Sequence, residues 1–147
     1  MKKIIVIILV VLMAAAMVLS CSSSKTSAKF QGKEVTFEYN AYTRGSSVNY
    51  KVTKDSVIQN EKLRGENTLY KKPTPKDDWQ SLLTATEKVD LEKLETIEVT
   101  SKKHQFDGAM GATLLITVDG KEYRSPTFDH GTPPAEIKGI IDEITLL

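Results

Sequence analysis

Three patterns in the chain predict an α+β fold in which an antiparallel sheet carries two main helices packed on one side. Between residues 35 and 70, apolar and polar residues alternate in successive short runs, the period of strands with one buried face. Trp79 to Val89 and Ile137 to Ile144 instead space their apolar residues three and four apart, as helices do. Between these two stretches, Asp119-Gly120 has the composition of a two-residue hairpin turn. The resulting order is a four-strand meander, a helix, a later hairpin and a helix. Strands grouped before helices favour this arrangement over a closed barrel or a doubly wound sheet.

Each element has its own justification. Val35, Phe37, Tyr39 and Ala41 fall on one face of a first strand, with Thr36, Glu38 and Asn40 on the other. Arg44-Gly45-Ser46 marks a turn. Val48, Tyr50 and Val52 then alternate with Asn49, Lys51 and Thr53, and Lys54-Asp55 marks the next turn. Val57-Ile58 and Thr68-Leu69-Tyr70 are weaker strand signals, separated by the polar run from Glu61 to Glu66. Thr74-Pro75-Lys76-Asp77 changes the period, with Thr74 as the expected cap and Pro75 as the first helical residue. Trp79, Leu82, Leu83, Thr86 and Val89 follow as one mainly apolar stripe. Asp90 is placed to cap a short further turn bearing Leu91 and Leu94. Ala112, Leu114, Ile116 and Val118 form the first arm of the hairpin, and residues 121–125 form its second. Thr132-Pro133-Pro134 opens the last helix, whose stripe is Ile137, Ile140, Ile141 and Ile144. Gly139 lowers the stability of that helix unless another element packs closely against it.

The first thirty residues have a different character. Met1-Lys2-Lys3 is followed by an uncharged apolar run from Ile4 to Leu19, and Val18-Leu19-Ser20 leads directly to Cys21, the single cysteine of 147 residues. A charged start, an apolar middle and small residues near a cut are the layout of an export signal. Val18-Leu19-Ser20-Cys21 resembles the lipobox of bacterial lipoproteins, which implies that residues 1–20 are removed and that Cys21 carries the lipid. An uncut signal anchor is the alternative, although sixteen residues rise only roughly 24 Å as a helix. A plain secretory signal ending at Ala14-Ala15-Ala16 would leave Cys21 a free thiol. Residues 21–29 read as the lipidated cysteine and a flexible serine-rich tether, and residues 30–147 as a single α+β domain. Ser22 follows Cys21 where an aspartate could stand. By resemblance to Gram-negative lipoproteins, this implies the outer membrane, and the absence of an acidic cluster in the tether implies its periplasmic face.

Loss of Lys2 and Lys3 with the signal takes 20 basic residues to 18, against 19 acidic. So balanced a chain offers no nucleic-acid footprint. With Cys21 used as the anchor, the domain has no disulfide, cysteine nucleophile or cysteine-bound zinc.

Nucleophile elbows, phosphate-binding GK[ST] loops, HExxH pairs and GxGxxG fingerprints are all absent. One constellation stands out. If Asp119-Gly120 forms a two-residue turn, Met110 faces Asp129, Ala109 faces His130 and Gly108 faces Gly131. His104, Asp107, Asp129 and His130 then converge at one end of the hairpin, where they could form a metal or acid-base site. The structural alternative has Asp129 satisfying free amides at the start of the last helix. Pro126 cannot donate to a ladder, so the register can slip before it reaches these residues. Tyr39, Tyr50 and Tyr123 fall on inward faces and read as core. Lys71-Lys72, with Lys76, forms a modest basic patch that reads as a solvated loop.

Taken with the lipobox and the Trp79 helix, Phe106-Asp107-Gly108-Ala109 and Phe128-Asp129-His130-Gly131-Thr132-Pro133-Pro134 resemble small Bacteroidota lipoproteins of unknown function. The resemblance implies an envelope lipoprotein and carries no activity. The expectation is a non-catalytic binding or interaction module, held to the membrane through lipid on Cys21 and meeting an envelope protein partner, with no metal and no cofactor. A small hydrolase or metal-binding protein using His104, Asp107, Asp129 and His130 is the first alternative. A structural envelope accessory or inhibitor is the second.

Overall fold

The computed structural model describes residues 28–106 and 108–147. The expected signal, Cys21, the tether up to Ser27, and Asp107 lie outside the described residues. Seven strands form one antiparallel sheet: β1 (Val35–Thr43), β2 (Ser46–Thr53), β3 (Ser56–Leu63), β4 (Glu66–Pro73), β5 (Gly111–Val118), β6 (Lys121–Arg124) and β7 (Phe128–Asp129). Their order is β4-β3-β2-β1-β5-β6, with β7 also pairing β5. Helices α1 (Lys76–Glu87) and α2 (Ala135–Leu146) pack on each other and over one face. The predicted α+β fold is therefore the observed one. Among the described residues, no helix is long and apolar enough to cross a membrane.

The period-two reading of β1 places its residues correctly. Val35, Phe37, Tyr39 and Ala41 are buried against Val52 of β2 and Ala112, Leu114 and Ile116 of β5. The helix stripes close this core with Trp79, Leu82 and Leu83 from α1 and Ile137, Ile140, Ile141 and Ile144 from α2. Trp79 meets Phe37 edge-on, with ring centroids 5.8 Å apart and planes at 76°, a favoured aromatic geometry. Tyr39 is fully buried, and Tyr50 and Tyr123 pack at the core margin.

Three local expectations need correction. Thr74 does not cap α1: its hydroxyl donates to the Thr53 carbonyl at 2.7 Å and its amide donates to the Asp55 carbonyl at 3.3 Å. Pro75, in extended geometry, stands at the boundary instead, and Asp77 and Asp78 face the positive end of the helix from its first turn. The polar run from Glu61 to Glu66 does not separate two short strands. β3 and β4 extend into it and pair as far as Leu63 opposite Glu66, around Arg64 (φ 50°) and Gly65 (φ 92°). A tight turn with both central φ values positive suits the twist of a hairpin whatever the flanking polarity. Finally, the hairpin register slips. Asp119 (φ 48°) and Gly120 (φ 82°) form the expected turn, and Val118 to Leu115 pair with Lys121 to Arg124 as anticipated. Beyond that point Gly111, not Met110, faces Asp129. Ser125 causes the shift: its amide donates to the Leu114 carbonyl at 2.9 Å while its Oγ accepts from the Leu114 amide at 2.9 Å. One residue thus fills both ladder roles, and Pro126 follows without an N–H.

Asp90 does cap the short turn Leu91–Thr96, accepting from the Glu92 amide at 3.2 Å. Glu92 in turn holds Lys121 at 2.7 Å, which ties the turn to β6. At the start of the described chain, Phe30 is buried and Asp119 accepts from the Glu34 amide at 2.9 Å. The chain therefore reaches the central strand β1 beside the β5–β6 turn.

Candidate functional site

The end of the sheet farthest from Phe30 gathers the β1–β2 turn, the start of β5 and the two-residue strand β7. β1 spans nine residues, or roughly 30 Å at strand rise. At this far end Asp129 is buried, with its side chain 2% exposed. Its carboxylate accepts from the His104 amide at 2.8 Å, the Lys103 amide at 3.0 Å and the Ser101 hydroxyl, and one oxygen lies 2.6 Å from His104 Nδ1. Burial pushes this carboxyl up, but the donors from Ser101, His104 and Lys103 outweigh it and hold Asp129 well below the usual carboxylate range. An ionised carboxylate only accepts, so His104 carries its proton on Nδ1 and presents Nε2 as the basic nitrogen.

Gly111 lies beside the imidazole. A Cβ there would stand 3.2 Å from Thr127 Cγ2, a tight contact, and 3.7 and 3.9 Å from His104 Cβ and Cδ2, ordinary contacts. His104 and Gly111 line a cavity of about 380 Å³ with Tyr42, Thr43, Arg44 and Thr127. A larger cavity of about 570 Å³ lies at the opposite end, against Phe30, Val35 and Trp79. It contains neither histidine.

The four residues singled out from sequence do not form one cluster. His104 and Asp129 are bonded, Asp107 lies outside the described residues, and His130 points elsewhere. Its Nδ1 lies 2.6 Å from the Tyr39 hydroxyl, and its ring stacks on Tyr39 with centroids 5.9 Å apart. Successive strand residues face opposite sides of a sheet. Asp129 shares the open face of its partner Gly111 and of Tyr42, whereas His130 follows on the helix-covered face with Tyr39. Among the described residues, no group of three metal-ligating side chains comes together. The expected cap on the last helix is also corrected. Asp129 caps the turn Lys103–Phe106, because that segment crosses the open face while α2 begins beyond Pro134. Sequence reasoning missed Ser101 and Tyr39 as partners, since their contacts depend on a crossing loop and on which face each histidine takes.

Burial pushes the Tyr39 hydroxyl up to about 12, with a smaller contribution from Tyr50. The phenol therefore stays neutral where it meets His130 Nδ1.

No protein-family model, curated protein or solved structure matches this chain.

Proposed function

We propose that this chain is a lipid-anchored envelope module that binds a protein partner, without catalysis, through the end of its sheet farthest from the anchor. The observation that supports this reading is the polarity of the domain. The N-terminal side approaches β1 at one end, and the Tyr42, Arg44 and His104 cavity opens at the other. Ala28–Phe30 form a short helical turn whose Lys29 amide donates to Glu87 at 3.1 Å, which leaves residues 22–27 as a tether of at most roughly 22 Å, so a site on the far end faces away from the bilayer. Asp129 accepts from Ser101, Lys103 and His104, which fits a carboxylate that holds a loop in place. The membrane in this reading is the outer membrane, at its periplasmic face, with lipid on Cys21.

Labelled fatty acid should enter the full-length chain and not Cys21→Ser. A photo-reactive side chain at position 43 should trap an envelope protein that the same side chain at position 121 does not. Absence of label in the unsubstituted chain would remove the anchor, and equal trapping at both positions would remove the far-end site.

The His104–Asp129 pair supports a second reading, a small hydrolase in which Asp129 orients His104 as general base toward the cavity. Turnover of a simple ester or phosphoester, lost in His104→Gln with the fold intact, would favour it.

A further inference from the structure

β4 ends the sheet. It pairs with β3 alone, and all eight of its residues are exposed. The chain leaves it inward, since Thr74 bonds back to Thr53 and Asp55 between β2 and β3. Among the described residues, no strand other than β3 pairs with β4, and its outer edge is open. An open edge of this length is a template for another strand.

The sequence of β4 specifies which strand. Its middle is apolar and exposed, with Leu69 at 65% and Tyr70 at 58%. Its charges are separated, with Glu66 at the start and Lys71 and Lys72 near the end. Such a strand is complementary to itself when reversed. With Leu69 opposite Leu69, each Glu66 faces the other copy's Lys72 and each Thr68 faces its Tyr70. Parallel stacking would instead set Lys71 on Lys71 and Lys72 on Lys72, and like charges directly opposite repel. A shift of one residue would set Leu69 opposite Tyr70, turning the helix-covered face of one copy toward the open face of the other.

We infer that β4 pairs antiparallel with β4 of a second copy, joining two sheets about a two-fold axis at Leu69. Strand pairing alone covers less than the ~1,200 Å² of a stable interface, so this dimer forms at high local concentration.

Leu69→Cys in the full-length chain, oxidised mildly in the cells that make it, should give a disulfide-linked dimer above the level of the unsubstituted chain. Opposed strand positions lie within disulfide reach. Asn67→Cys should not, because the register sets it opposite Lys71 and ~13 Å from its own copy. On the Leu69→Cys background, Lys72→Glu should lower the dimer yield ~10-fold, and adding Glu66→Lys should restore it. Unchanged Trp79 emission shows that each variant remains folded. A folded Leu69→Cys chain without dimer, equal yields at positions 67 and 69, no rescue by the double charge exchange, or linkage only to a different protein would each overturn the inference.

Discussion

Two hydrogen-bonded pairs set the residue-scale behaviour of the far end, and they respond to opposite extremes of pH. Asp129 is held below the ordinary carboxylate range, so the folded state binds its proton less readily than the unfolded chain. Its stabilisation is present above the unfolded value and is lost as pH falls below about 4. Tyr39 runs the other way. With its pKa pushed up to about 12, its contribution is complete below the unfolded value of about 10 and is lost as pH rises from there through about 12. Chemical denaturation across pH should show both losses, and Tyr39→Phe should flatten the alkaline one. Ser101→Ala removes a donor to a buried carboxylate and should cost about 1.5–3 kcal/mol, read from urea melts. Neither partner could be read from sequence. The proximity of His104 to Asp129 was legible, but the separation of His130 required the rule that adjacent strand residues face opposite ways.

At the scale of elements, the hydrophobic stripes were legible because one buried face fixes both period and register. Turn chemistry also revealed Asp119-Gly120. The strands of the β3–β4 hairpin were legible only in part, and read too short, because its outer half lies beyond the helices, where side chains stay exposed and only backbone pairing defines the strand. Arg64 makes this visible, as a bulky residue at positive φ. Arg64→Asn should stabilise the hairpin by about 0.5–1 kcal/mol, seen as a higher urea midpoint at unchanged slope. Gly139 faces α1, where a Cβ would rest 3.9 Å from Ala85 Cβ, an ordinary contact. Gly139→Ala should therefore raise stability by about 0.5–1 kcal/mol in the same measurement.

For the whole molecule, one core unites sheet and helices, and Trp79 is its most sensitive probe. Trp79 is 6% exposed and meets Phe37 edge-on. Trp79→Ala should cost about 3–5 kcal/mol. In the unsubstituted chain, tryptophan emission should shift to longer wavelength on unfolding in urea. Emission already at the fully hydrated wavelength in the folded protein would contradict this packing. The path of the chain into this core also has a mechanical meaning. The N-terminal side joins β1, which lies between β2 and β5 with eight paired positions on each side. Tension between that side and the far end of β1 runs lengthwise along the strand. It must then shear both ladders at once, whereas force across an edge strand would open hydrogen bonds one after another. The central placement of β1 makes this domain stiffest along the line from its N-terminal side to its far end.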